Sequence, residues 1–314
     1  MGLEPRPVPP HVFSLEARTL SYGSFVRAES GFEVENFSQV DLPEALFGEG
    51  PLGGPMHDPG LFKPLVSELV ESVEGGVDDA SLVLPDAWLR LAFTEMEEVP
   101  RRGQRRDEVL RWKLKRQVPF RVEELRLEGV EVEPLPEQSA GSRVLLAFAI
   151  DRVLGQLEDA FLECGVRLGR VLNSSLATVD SVREVVDEID LAAIVLVSAG
   201  GYSLTFTQAG EPLLHRFRGL DSGIGGDAAA RLVQRDLKLT QTFVNQQLPG
   251  REIGRVVLAS QAAQQSFWLE SLEQGLGHVP VALGREQLPL RGAVPDVSPA
   301  LLAPMVGAAC AEFS

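Results

Sequence analysis

The chain of 314 residues has little of what metal, disulfide or membrane chemistry requires. Two cysteines, Cys164 and Cys310, are too few for a disulfide framework and fit a reducing compartment. Four dispersed histidines (His11, His57, His215 and His278) and no C-x-x-C pair leave little for a zinc site, so no metal is expected. No apolar run approaches the ~18–20 residues of a membrane helix; the longest candidate, 191–201, is strand-sized. The opening MGLEPRPVPP lacks the apolar centre of a signal peptide and reads as an extended leader, 1–10. No Ser stands in a G-x-S-x-G elbow. The glycine-rich stretch 219–227 lacks the Lys-Ser/Thr of a Walker A loop and reads as a turn before a helix.

What is present is globular. The chain is 44% hydrophobic and 24% charged, a balance that argues against global disorder. The net charge of −16 disfavours nucleic acid as a partner. The charge is unevenly spread. Residues 101–121 hold nine basic side chains against Asp107 and Glu108, a local +7 that leaves −23 for the rest. Such a block is a solvated helix face, or a surface for an acidic peptide or an anionic membrane. One aromatic within it, Trp112, is too few for a base-stacking platform.

Periodicity gives an α/β order. Strands are expected at 12–15, 23–27 and 32–40. A helix follows from about 59, with Leu61, Leu65, Leu69 and Val73 on its inner face. Strands at 81–84 and 89–93 precede a basic helix, 105–117, which Val118-Pro119 ends. Strands at 125–132 and 143–150 lead to a helix capped by Asp151 and reaching 164. A strand at 166–173 and a helix capped by Ser174 or Ser175 close the first half. The second half has a doubly buried strand at 193–197, a hairpin (203–207 and 212–218) and a long helix to 247. A strand at 255–259, a helix at 262–276, a short strand at 278–283 and a closing helix at 299–311 complete it. Cys164 and Cys310 fall on helix faces as core residues. The repeated order suggests two related lobes.

One segment is more specific. Leu110-Arg111-Trp112-Lys113-Leu114-Lys115-Arg116-Gln117-Val118-Pro119-Phe120, preceded by the strand end Val83-Leu84-Pro85-Asp86, resembles the PilM family of actin-like type IV pilus assembly proteins. The resemblance is strongest over 81–190 and extends thinly from about residue 11 to the closing helix. It implies a two-lobed actin-like (ribonuclease H-like) α/β fold. A first lobe at 11–190 would carry a small α/β subdomain at about 90–150, followed by a shortened second lobe at 191–314. It implies a cytoplasmic protein at the inner-membrane platform of the pilus, peripheral to that membrane. Its partners would be the cytoplasmic N-terminal peptide of a PilN-like bitopic membrane protein, and other platform proteins. Self-association is left open. Arg111, Trp112, Lys115, Arg116 and Phe120 become candidate partner-binding residues, with Trp112 and Phe120 partly in the core.

Actin-like nucleotide sites use an Asp and a glycine-rich hairpin in each lobe to hold Mg²⁺ and phosphates. Here the matching positions are degenerate. The first lobe offers Ser14 and Glu16; the second offers Ser198, Gly200 and Gly201 without an Asp. A later Gly-Gly turn is replaced by Ala259-Ser260-Gln261-Ala262. No catalytic residue and no cofactor are expected, and Gly200-Gly201 reads as an ordinary hairpin turn. A pseudo-ATPase scaffold is therefore expected. The alternatives are an ATP-binding switch of the same fold, or a nucleotide-free component of a type II secretion-like system.

Overall fold

The computed structural model describes residues 8–44, 46–48, 52, 54–101, 103–119, 121–135, 141–198, 200–220 and 226–310. Phe120, Ala199, most of the 1–10 leader and parts of the 134–142 and 219–227 stretches lie outside these residues.

The first sheet opens with the antiparallel meander β1 (His11–Leu15), β2 (Thr19–Arg27) and β3 (Phe32–Asp41). On the other side of β1 come β4 (Asp79–Leu84) and β8 (Arg167–Asn173), both parallel. The second sheet repeats the plan with β9 (Ala192–Ser198), β10 (Gly201–Gln208) and β11 (Glu211–Gly219), then β12 (Arg255–Ala259) and β13 (Val281–Ala282). Both sheets thus read third, second, first, fourth and fifth strand across, a duplication carried by topology rather than by sequence. The 191–314 stretch is not confined to the second sheet. β14 (Leu290–Arg291) returns to pair with β3 at the edge of the first.

Helices cover the sheets. α1 (Pro59–Glu71) and α3 (Asp151–Glu163) pack on the outer face of the first sheet around Phe13, Phe62 and Phe161. α6 (Gly226–Gln247) and α7 (Gln265–Leu276) pack on the outer face of the second. Between the sheets lie α4 (Ser174–Ser181) and α8 (Pro299–Cys310), in a core shared by Val12 and Val83 of the first sheet and Ile194 and Val257 of the second. This explains the uninterrupted apolar run in β9. Ala192, Ile194 and Leu196 enter the shared core, while Ala193, Val195 and Val197 enter the outer one, so both faces are buried. Between β4 and α3 the chain inserts a three-stranded antiparallel sheet, β5 (Arg90–Met96), β7 (Ser142–Ile150) and β6 (Leu125–Val132), with α2 (Gln104–Lys115) against it. A short helix, α5 (Arg183–Val186), follows α4.

Three local expectations are corrected. In α1 the buried row is Phe62, Val66 and Leu69, while Leu61 is exposed. An i, i+4 row drifts around the helix, and the bulkier Phe62 row wins the sheet. Asp151 does not cap α3; its carboxylate takes Arg126 Nε at 2.7 Å. The cap of α4 is Asn173, whose side chain accepts from Leu176 N at 3.0 Å, while the two serines are drawn elsewhere.

α8 is apolar all round, as a helix enclosed on all sides must be. It crosses α4 so closely that a Cβ on Gly307 would overlap the Ala177 carbonyl. Gly307→Ala is therefore expected to lower stability by at least the ~1–3 kcal/mol of an overpacked core. Urea denaturation checks this, and an unchanged midpoint would contradict the packing.

Candidate functional site

Several of the positions expected to match the actin phosphate loops lie close together between the lobes. Ser14, Leu15 and Glu16 at the end of β1 face Leu196 and Ser198 of β9, and α8 pushes Ala300 and Pro304 between them. The space left is about 10 Å³. That holds one water at most, since a single water needs ~10–15 Å³. Burial raises the pKa of Glu16. Gly201 has φ 151°, and a Cβ there would strike the Arg218 carbonyl on β11. Crowding between β10 and β11 thus accounts for that glycine. Gly200 packs over the turn at Ala87 in the first lobe.

Beside this filled cleft lies a buried polar cluster. Asp86, in the turn after β4, is 2% exposed. Its Oδ2 accepts from Ser174 Oγ and Ser175 Oγ, both at 2.8 Å, and its Oδ1 from Asn173 Nδ2 at 3.2 Å. All three donors stand where β8 runs into α4, which is why the serines do not cap the helix. The second lobe supplies the rest. His215 Nε2 of β11 lies 3.1 Å from Asp86 Oδ1. His215 Nδ1 is 3.0 Å from Thr205 Oγ1, and Ser203 Oγ shares a hydrogen bond with Ser175 Oγ. Burial alone would raise the Asp86 pKa. The His215 imidazole beside Oδ1, with the two serine hydroxyls, outweighs it and holds the carboxyl below its ordinary value.

Carboxylate, imidazole and hydroxyl in series is the order of a nucleophile relay. Here Thr205, at the far end of the imidazole, is buried. The cluster pins one lobe to the other. Sequence reasoning missed it: His215 counted only as one scattered histidine and Asp86 as part of a strand-end motif. A histidine inside the apolar strand Leu213-Leu214-His215, and Asn173-Ser174-Ser175 at a strand end, are the signals that could have found it.

The inserted subdomain is also tied to the second lobe. Arg90 stacks over Phe217 of β11, 4.8 Å from the ring centroid. Arg143 of β7 lies 4.0 Å over Phe93 and donates Nη2 to the Leu213 carbonyl. Burial pushes the Arg143 pKa down to about 10.

α2 presents Leu110 and Leu114 to the inserted sheet. Trp112 is 56% exposed, contrary to the expectation that it lies partly in the core. The Leu110–Leu114 pair, four residues apart, takes the inner face and turns the indole outward, where Lys113 and Arg116 lie 5.7 Å from its ring. Arg111 is turned inward and donates Nη1 to the carbonyls of Val122 and Leu125, the latter at 2.7 Å. Lys115 pairs with Glu123 at 3.5 Å on the surface. Arg106 Nη2 donates to the Gly129 carbonyl of β6 at 2.6 Å. Between α2 and β6, the edge strand of its sheet, runs a cleft of about 650 Å³. Among the described residues no helix is long and apolar enough to cross a membrane, and no three His, Cys, Asp or Glu side chains gather as a metal site.

The Asp86 cluster yields a pH prediction. Its folded pKa is depressed, so its contribution is full above the unfolded carboxylate value of about 3.9 and is lost as pH falls through the folded value. Asp86→Asn should cost about 3–5 kcal/mol at pH 7, as when one partner of a buried pair is removed. The gap from wild type should close in acid. Urea melts at neutral and acid pH measure both, and a gap independent of pH would contradict the assignment.

No family model matches the sequence, and no curated protein matches it. Solved structures do share the fold. A chain of the "PilM-PilN type IV pilus biogenesis complex" superposes with a TM-score of 0.74 over 98% of this chain and 97% of its own, at 16% identity. The cytoplasmic domain of EpsL, an inner-membrane component of the Vibrio cholerae type II secretion system, gives 0.54 over 96% and 95%, at 11% identity. A Bacteroides thetaiotaomicron protein with an actin-like ATPase fold gives 0.52 over 88% and 91%, at 10% identity. The chain therefore has a PilM-like, two-lobed actin fold of α/β class.

Proposed function

We propose that this protein is a non-catalytic scaffold of a type IV pilus assembly platform. It works at the cytoplasmic face of the inner membrane, holds no nucleotide, and captures the cytoplasmic N-terminal peptide of a PilN-like bitopic membrane protein. The observation that carries the nucleotide part is the filled cleft. About 10 Å³ remains where phosphates would sit, walled by Glu16 and by Ala300 and Pro304 of α8. A triphosphate would need that helix displaced, and would meet a carboxyl group in place of metal-organising side chains. The likeness to a chain of a PilM–PilN complex, over nearly the whole of both chains, supports the peptide part.

The cleft between α2 and β6 fits such a peptide. In an antiparallel pair, alternate residues turn both backbone groups to the partner strand. Arg106 takes the Gly129 carbonyl from outside, so Gly129 and its alternates Leu127 and Glu131 face away from β7. An extended peptide can add to that edge by main-chain hydrogen bonds, with side chains seated against Leu110 and Leu127.

Two outcomes follow. A ligand at 100 times its Kd stabilises the native state by about 2.7 kcal/mol; thermal melts with and without millimolar Mg-ATP should nevertheless coincide. A rise of several degrees would overturn the nucleotide-free reading. Calorimetry with the N-terminal peptide of a PilN-like bitopic protein from the same organism should show binding. Glu131→Pro, which removes an outward N–H from an exposed edge position, should weaken that binding at least tenfold without moving the melting temperature by more than a few degrees. Unchanged affinity in the variant would exclude the β6 edge, and no binding by the wild type would exclude the scaffold reading.

A further inference from the structure

We propose that the groove between α2 and α6 is a second docking site, for an acidic amphipathic segment of another protein. It lies on a different face from the β6 cleft and does not depend on the pilus reading. The groove encloses about 410 Å³ where the inserted subdomain meets the second lobe. Lys113 and Arg116 of α2 line one wall and Phe243 of α6 the other, with Phe93, Leu135 and Arg143 beneath.

Three observations converge on that occupant. The first is Arg143. It is 2% exposed, and while Nη2 reaches the Leu213 carbonyl, Nη1 is buried with no hydrogen-bond partner among the described residues. A buried guanidinium nitrogen without an acceptor is costly, and a carboxylate is the group its fork fits best. The second is charge. Three basic side chains line the groove against one acid, Glu95, in a protein whose net charge is −16. Part of Lys113 is already engaged with the Glu95 carbonyl, at 2.7 Å.

The third is the outer face of α6. Its inner face buries Val233, Leu237 and Val244. Its outer face carries Arg231, Arg235, Leu239 and Phe243 at four-residue spacing, with Lys238 beside them. Leu239 is 54% and Phe243 45% exposed. This stripe continues the groove, basic at one end and apolar at the other. From Arg231 to Gln247 it spans about 24 Å at 1.5 Å per residue, the length of a helix of about sixteen residues.

Other anionic occupants match less of this. A bilayer is planar and does not reach Arg143 at the bottom of a concave groove. A small polyanion leaves Leu239 and Phe243 uncovered. A segment with Glu or Asp on one side and Leu on the other satisfies the arginine, the basic walls and the apolar stripe together.

The test uses the full chain and a fluorescein-labelled sixteen-residue helical peptide, with leucines along one face and glutamates along the other. Counterparts carry glutamine or lysine in place of glutamate. Fluorescence anisotropy should show the Glu peptide binding at least tenfold more tightly than the Gln peptide, and the Lys peptide not at all. The double variant Leu239→Ser, Phe243→Ser should weaken the Glu peptide at least tenfold, and Lys113→Glu should abolish the preference for Glu over Gln. Both alter the groove walls or the exposed stripe, so the melting temperature should hold. The α6 double variant should keep the affinity for the PilN-like leader peptide, which separates failure here from failure of the pilus reading. Equal binding of the Glu and Gln peptides, no binding of the Glu peptide, or unchanged binding in the variants would overturn the proposal. Phosphatidylglycerol vesicles that sediment the protein and compete with the peptide would also overturn it, in favour of a membrane surface.

Discussion

A carboxylate buried between two lobes has to be paired, and at Asp86 the partners come from both of them. Asn173, Ser174 and Ser175 belong to the first lobe, and His215 to the second. Separating the lobes would leave Asp86 without its imidazole neighbour. Actin-like folds place a ligand at this seam. In this chain α8 lies between the sheets and leaves a pocket of about 10 Å³ beside Ser14 and Leu196. The Asp86 cluster, the Arg90–Phe217 stack and the Arg143–Leu213 hydrogen bond together fix one arrangement of the first lobe, second lobe and inserted sheet.

Much of the fold was legible in the sequence because it is written in local patterns. The apolar run at 192–197 is a doubly buried strand, and the alternation at 125–132 marks β6. The Leu110–Phe120 segment carried the family resemblance that the superposition bears out at the level of fold. The caps failed where side chains were drawn to partners far away in sequence, as Asp151 was to Arg126; the helix faces failed for another reason. Where a short helix offers two apolar rows, sequence alone does not say which one the sheet takes. α1 turned Phe62 inward in place of Leu61, and α2 turned Leu110 and Leu114 inward and Trp112 out.

The candidate site was less legible, because its determinants are long-range. Asp86 and His215 lie far apart in the sequence, and neither stands in a motif with a fixed spacing. Ser14, Glu16 and Ser198 could be singled out directly from the sequence. The filling of the space by Ala300 and Pro304 could not, since it depends on where α8 crosses α4. Likewise the basic block at 101–121 was visible as charge. Its division into Arg106 and Arg111, which bond backbone carbonyls of the inserted subdomain, and Lys113 and Arg116, which face a groove, required the fold.

The central claim is that the lobes are held closed by protein side chains and do not answer to nucleotide. The most direct measurement is the distance between them in solution. Spin labels at Glu68→Cys on α1 and Glu273→Cys on α7, in a background with Cys164 and Cys310 replaced, place one reporter on an exposed position of each lobe. Double electron–electron resonance should give one narrow distance distribution, the same with and without millimolar Mg-ATP. A broad distribution, or one that shifts by several ångströms on adding nucleotide, would contradict the account.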